Sequence, residues 1–272
     1  MSGGQVHFTE NQSTNLATLY GRALDARADE PVLGDPTAED AVRRIDYDFG
    51  KFKIGRSEAF SIASRGKVFD RMVRAFLAAH DECTVVHLGA GMDSRVFRID
   101  PPPTVRWFDV DFPDVIALRR QVYPERPNTT MLGASVTDQE WLAEVPADRP
   151  TLIVAEGLTM YLEPAAGKAL FRSLAAHFPS GELFFDAYST LGIRTQKSNS
   201  IVRRAKATLR WGIDDPHELE ELGLTLVSGR TAEHFIVDTD LVRLPLATRL
   251  LVRLVLLIPP IRKLGKLLHY RF

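Results

Sequence analysis

Apolar positions along this chain follow two periods in alternation. From Ile62 to Leu77 they recur at helical spacing, with Ile62, Phe69, Val73 and Phe76 or Leu77 on one face, which predicts a helix. That helix feeds a short continuous apolar run over 84–88, read as a buried strand. Pro113 stands at a first helical position and opens a second helix through about Val122. A short strand near Thr130–Leu132 stops at Gly133, and the run Thr151–Ala155 stops at Glu156–Gly157. Pro164 then sits in the first turn of a helix through Phe178, and Leu183–Phe184–Phe185–Asp186 is a further apolar strand with an acid at its tip. Strands alternating with helices predict a parallel, doubly wound α/β sheet. Acids placed repeatedly at strand carboxyl ends predict a site along that edge.

The flanks are less regular. Residues 1–20 read as weakly ordered, and Leu19 to Asp48 mixes a helical pattern with a turn at Gly34–Asp35–Pro36, as a lid over the sheet would. From Thr190 to Arg210 the chain turns basic, with Arg194, Lys197, Arg203, Arg204, Lys206 and Arg210, which reads as a helical insertion near 190–215 beside a substrate entrance. Leu224–Val227 is a strand pattern, and Leu267–Phe272 reads as a closing edge strand. Leu241–Ile258 is strongly apolar yet carries Arg243, Arg249 and Arg253, a density too costly for a bilayer centre, so no transmembrane span is expected. It reads as a buried helix, with a homo-oligomer or peripheral membrane contact through 241–258 as the alternative. The expected division is a helical lid over 1–60 and a cofactor-binding α/β domain over 61–272.

Composition narrows the partners. The chain has 272 residues, 45% hydrophobic and 25% charged, as in soluble globular proteins. A formal net charge of −1 gives no electrostatic reason to expect nucleic acid. Phe76, Phe97 and Trp107 are not interleaved with basic clusters, so no base-stacking platform is expected either. Cys83 is the single cysteine, which excludes an intrachain disulfide and fits a reducing compartment. Met1–Asn15 has no apolar core of a signal peptide, so the expected location is cytoplasmic.

The chemistry concentrates in Val85–Val86–His87–Leu88–Gly89–Ala90–Gly91–Met92–Asp93–Ser94–Arg95 and in Trp107–Phe108–Asp109–Val110–Asp111–Phe112–Pro113. A buried strand that breaks into Gly-x-Gly lets backbone approach a ligand without Cβ atoms in the way. An acid at the tip of the next strand, Asp111, can accept from both hydroxyls of a ribose. A dinucleotide site would carry Gly or Ala at the sixth position and rest a pyrophosphate on the helix that follows. Here that position is Ser94, and Asp93 puts negative charge where a phosphate would lie. The pattern therefore favours a cofactor without phosphates, S-adenosylmethionine. His87 lies within a strand as a core residue, and His177, His217, His234 and His269 have no recognisable partner in sequence. No His, Cys and Asp cluster has metal-ligand spacing, so no metal is expected.

These segments, taken with Tyr20–Gly21–Arg22–Ala23, Asp35–Pro36, Ile45–Asp46–Tyr47–Asp48–Phe49, Ser64–Arg65, Ala155–Glu156–Gly157–Leu158–Thr159–Met160–Tyr161–Leu162, Phe185–Asp186 and Trp211–Gly212–Ile213–Asp214–Asp215–Pro216, resemble the leucine carboxyl methyltransferase superfamily in order over about 16–272. The similarity is greatest to its branch of bacterial polyketide O-methyltransferases, typified by the tetracenomycin carboxyl methyltransferase. The resemblance implies a class I methyltransferase (Rossmann-like) fold, a mostly parallel sheet with helices on both faces plus an N-terminal and an inserted helical cap. It also implies S-adenosyl-L-methionine as donor. Arg65 matches the arginine that grips the donor's methionine carboxylate, a task suited to a planar guanidinium. Gly89 and Gly91 match the backbone beside the methionine part, Asp111 the ribose acid, and Ser135 and Val136 the positions beside adenine. Where the protein-modifying branch has an aspartate this chain has Ser135, with Asp138 as a substitute for the adenine amino contact. Glu156 matches the acid near the donor's amino group. Asp109 alternates to the other side of its strand and reads as structural. Tyr161 lines the substrate side or packs.

Three functions follow: an O-methyltransferase acting on a small molecule, a protein carboxyl methyltransferase, and a non-catalytic cofactor-binding protein. Ser135 and the 211–216 segment argue against the second, and retention of Arg65, Asp111 and Glu156 against the third. No histidine declares itself as a base, which favours a carboxylate acceptor and a methyl ester product.

Overall fold

The computed structural model describes residues 10–198, 202–203, 207–231, 246, 249–250, 253–254, 257–258 and 262–272. The alternating pattern becomes one seven-stranded sheet in the order β3-β2-β1-β4-β5-β7-β6. Its strands are β1 (Cys83–Leu88), β2 (Val105–Asp111), β3 (Thr129–Gly133), β4 (Thr151–Ala155), β5 (Gly181–Tyr188), β6 (Thr225–Thr231) and β7 (Gly265–Arg271). Strands β1 to β5 pair in parallel. Strand β7 runs antiparallel to both β5 and β6.

Strand β1 is buried at all six positions because helices cover both faces of the sheet. On one face Val86, Leu88, Ile153 and Phe185 meet Phe171 and Leu174 of α6 (Pro164–His177), together with Trp211. On the other face Val85, Trp107, Val154 and Phe184 meet Phe69, Val73 and Phe76 of α3 (Arg56–Ala79). Proline opens both α5 (Pro113–Val122) and α6, where the missing N–H costs nothing. Two further helices, α1 (Glu10–Ala26) and α2 (Pro36–Arg44), pack through Leu16, Leu19, Ala38 and Ala41 on Phe49, Phe52 and Met92. The Asp35 side chain caps α2 by accepting from the Ala38 N–H at 3.0 Å. Strand β1 pairs with β2 on one side and β4 on the other, so the direction of the strand order reverses there and leaves a crevice at the carboxyl edge.

Several elements depart from the sequence reading. Residues expected to be weakly ordered form α1 from Glu10 onward. The closing strand is not at an edge: β7 inserts between β5 and β6, and β6 is the edge. The insertion near 190–215 is helical in the short helix Thr190–Arg194, in the short turn Gln196–Ser198 and at 202–203, whereas 207–215 runs without helix and bridges Tyr188 at Gly212. Arg204 and Lys206 lie outside the described residues, as does His234. The apolar stretch 241–258 is not a buried helix where it is described. Positions 246, 249–250 and 253–254 are helical, but Leu246 is 64% and Leu254 62% exposed, with Leu250 and Leu257 also exposed. Among the described residues no helix is long and apolar enough to cross a membrane. Residue 60, the expected lid boundary, lies inside α3.

Candidate functional site

The carboxyl edge is built on glycines. After Leu88 the chain turns through Gly89 at φ +60° and Gly91 at φ +48°, and after Ala155 through Gly157 at φ +67°. These are left-handed conformations that glycine adopts without steric cost. A Cβ on Gly91 would stand 2.8 Å from the Asn15 Cβ of α1, so the lid lies directly on this loop. Asp111 at the tip of β2 closes the cradle. Its Oδ2 accepts from the Gly91 N–H at 2.6 Å and its Oδ1 from the Phe112 N–H at 2.7 Å. Burial raises the Asp111 carboxyl above the usual range, and those two N–H donors pull against that rise. Each of its oxygens retains a lone pair for a further donor. Beside the loop the buried Asn15 Oδ1 has no partner among the described residues. A glycine cradle, an acid with spare acceptors and an unsatisfied amide oxygen together fit an adenosine-containing ligand.

Glu156, one residue past β4, is the centre of a buried charge network. Its Oε1 accepts from Arg22 Nη2 of α1 at 2.9 Å and from Arg65 Nε of α3 at 3.0 Å, and its Oε2 from Arg95 Nη2. Burial alone would raise its pKa, yet the three guanidinium groups bring it down to about 2. Asp93 faces Arg22 at 2.8 Å, Arg95 at 3.0 Å and Arg98 at 3.1 Å, and these arginines likewise hold it well below the usual range against the cost of burial. Arg98 also reaches Asp70 and the α2 cap Asp35, joining the lid to the loop. Arg65 extends further to Asp186 Oδ2 at 3.1 Å. Its side chain is 24% exposed, and its Nη2 has no partner among the described residues.

Asp109 does not turn to the other side of β2 as expected, because residues two apart in a strand share a face, here with Asp111. It is buried deeper on that face, where it accepts from Arg119, from Trp107 Nε1 at 2.9 Å and from His87 Nδ1 at 3.2 Å. Arg95 donates to His87 Nε2 at 3.1 Å, so the ring proton sits on Nδ1 and both nitrogens are engaged. Ser135 turns its hydroxyl to Thr137 Oγ1 at 2.8 Å, Val136 is buried against the core, and Asp138 is exposed. Tyr161 is half-buried in the turn Thr159–Tyr161 and packs with Tyr188 and Ile193 on Met160, Val202 and Leu209. The backbone of Arg210 and Trp211 donates to the Met160 carbonyl, which pins the cap to this turn.

The structure thus brings Arg65, Gly89, Gly91, Asp111 and Glu156 to one edge, with Tyr161 on the cap side. The sequence reading missed the arginines around them. Arg22, Arg95 and Arg119 are buried and Arg98 is half-buried, and an available signal was the surplus of acids at strand tips, which demands counter-charges.

The parallel strands followed by an antiparallel β7, with glycines and acids gathered on one carboxyl edge, define a class I methyltransferase fold. A crystal structure from Thermobifida fusca superposes with TM-score 0.59 at 22% identity, covering 94% of this chain and 93% of that one. The magnesium protoporphyrin IX methyltransferase of Synechocystis, solved with bound SAH, gives 0.51 at 13% identity over 87% and 95%. In sequence, the tetracenomycin polyketide synthesis O-methyltransferase TcmP of Streptomyces glaucescens is 46% identical, covering 80% of this chain and 81% of its own. An S-adenosyl-L-methionine-dependent methyltransferase of Gibberella zeae is 36% identical, over 80% of each chain. The leucine carboxyl methyltransferase family matches residues 15–175, and this chain belongs to that family of methyltransferases.

Proposed function

We propose that this methyltransferase uses S-adenosylmethionine to convert a carboxylate of a small polyketide-like or other secondary metabolite into its methyl ester. The observation that carries the choice of acceptor is the engagement of His87. It is the one described histidine on a strand that leads into the glycine loop, and both its nitrogens are committed to Arg95 and Asp109. His177 bonds the Val145 carbonyl, His217 bonds Glu220 and His269 bonds Glu182, all away from the loop. A carboxyl group, with an ordinary pKa near about 4, is ionised at neutral pH and needs no base, whereas a phenol near about 10 benefits from one.

The bound donor supplies a methyl group already activated by its sulfonium. The protein's own contribution is then binding and alignment, a contribution of roughly 7–11 kcal/mol at the well-oriented limit. Arg65 would hold the methionine carboxylate through its free Nη2, and Asp111 the ribose hydroxyls. Glu156 would sit beside the amino group, Ser135 and Val136 would flank the adenine, and Asp138, exposed at the same turn, would reach its amino group. Tyr161 and the 207–213 cap would wall the acceptor side and exclude water. The relative named for polyketide O-methylation supports a small-molecule acceptor.

Incubation of the purified protein and methyl-labelled donor with a metabolite extract tests this directly. The expected product is a labelled small molecule that releases methanol on mild alkaline hydrolysis, with saturated turnover nearly flat from about pH 6 to 9. A base-stable labelled product points to an aryl ether instead, and a labelled protein band to a protein carboxyl group.

A further inference from the structure

Asp186, near the end of β5, is 5% exposed and makes three contacts at the carboxyl edge. Its Oδ1 accepts from the Gly157 N–H at 2.6 Å, its Oδ2 from Arg65 Nη1 at 3.1 Å, and its main-chain oxygen from Thr159 Oγ1 at 2.6 Å. The first contact fixes the rotamer of the carboxylate, and the second uses that carboxylate's other oxygen to hold a guanidinium arriving from α3. Glu156 also binds Arg65, but it divides its two oxygens among three arginines. Asp186 has no other ion-pair partner among the described residues, so it alone is dedicated to Arg65. The guanidinium is planar and rigid, so anchoring Nε on Glu156 and Nη1 on Asp186 fixes where Nη2 points. The same carboxylate ties this direction to the left-handed turn at Gly157, whose missing Cβ leaves the guanidinium room: a Cβ there would meet Arg65 Nη2 at 3.5 Å.

We propose that Asp186 is a positioning residue for Arg65: without touching the donor, it sets how tightly the chain grips the donor's amino-acid end. The inference rests on the reading of Arg65 as the carboxylate clamp. It separates two ligands, S-adenosylhomocysteine, which has that end, and 5′-methylthioadenosine, which lacks it.

Titration calorimetry of both ligands against the wild type, Asp186→Asn, Arg65→Ala and the double variant provides the test, with thermal unfolding of each as the check on folding. Asp186→Asn keeps an oxygen for Gly157 but can turn an amide N–H toward Arg65. The expected result is a loss of S-adenosylhomocysteine affinity on the order of tenfold, with 5′-methylthioadenosine unchanged. The double variant should bind no more weakly than Arg65→Ala, because the aspartate acts through the arginine. Equal losses for both ligands, no loss, or a double variant weaker than Arg65→Ala would each overturn the proposal. If Arg65→Ala itself fails to discriminate between the ligands, the clamp reading falls as well. If only Asp186→Asn fails to discriminate, the clamp stands and the positioning role alone is lost. Arg65→Lys keeps the aspartate and a single charge that cannot span both carboxylates, so it serves should Asp186→Asn not fold. Wild-type affinity for S-adenosylhomocysteine in that variant overturns the proposal too.

Discussion

Three guanidinium groups converge on Glu156, and their geometry sets how the folded chain meets acid. Burial pushes this carboxyl up, but Arg22, Arg65 and Arg95 bring it to about 2, below its ordinary 4.5. A carboxyl depressed in the folded state stabilises above its unfolded pKa, and that stability drains away as pH falls from 4.5 toward 2, a window worth about 3 kcal/mol. Asp93 acts in the same direction. Asp111 and Asp186, both raised by burial, act oppositely and offset part of it. Acid unfolding followed by circular dichroism should therefore be steep between pH 4.5 and 2. Glu156→Gln should be less stable at pH 7 by roughly 3–5 kcal/mol, as expected when one partner leaves a buried ion pair, and should show a shallower decline in acid. Parallel curves for the two proteins would remove Glu156 from this role. Such a network is hard to read from sequence. Arg22 and Glu156 are 134 residues apart and Arg95 and Glu156 61, so in the linear chain each arginine looks like a solvated helix charge.

At the scale of elements, what was legible depended on local signals. Pro113 marked the start of α5, and the run Thr151–Ala155 coincides with β4, because a proline or a glycine next to an apolar run punctuates the chain within a few residues. The pairing of Gly91 with Asp111 was legible for the same reason: two adjacent parallel strands fix the distance between their tips. Helix α1 was not. It begins in the polar residues 10–15, where hydrophobic periodicity is silent, and its buried face of Leu16, Leu19 and Ala23 makes sense only once α3 lies beneath it. Contact between α1 and the glycine loop gives a testable expectation. Gly91→Ala forces a side chain into φ +48° and sets a Cβ 2.8 Å from Asn15. The backbone cost alone is about 1–2 kcal/mol, so the midpoint of thermal unfolding should drop. In an Asn15→Gly background the steric part should vanish and the backbone part remain. Identical losses in both backgrounds would mean α1 does not press on the loop.

Over the whole molecule, the apolar content of 241–258 misled because a count of apolar residues says nothing about what covers them. Leu246, Leu250, Leu254, Leu257 and Ile258 are all exposed, whereas Leu170 of α6 is buried between helix and sheet. Chemical denaturation should separate the two environments. Leu250→Ser should stay within about 0.5 kcal/mol of the wild type, and Leu170→Ala should lose about 2–5 kcal/mol. A comparable loss at Leu250 would show that this surface is covered in solution.

The strand order also dictates a timetable. Among the described residues strand β6 is hydrogen-bonded to the sheet only through β7, and β7 comes later in the chain. A growing chain that has completed β1 to β5 carries a parallel sheet whose β5 edge is open, and β6 emerges with no neighbour waiting for it. Open edges of this kind recruit other chains. Only when Gly265–Arg271 slides in between does β5 gain its partner and β6 its anchor, a late closure between segments distant in sequence. Once seated, β6 presents an outer rim broken by an irregular register between Leu226 and Ser228 and charged at Arg230. The β6–β7 ribbon thus covers the β5 edge with antiparallel pairing and moves the sheet's boundary out to the short, irregular β6.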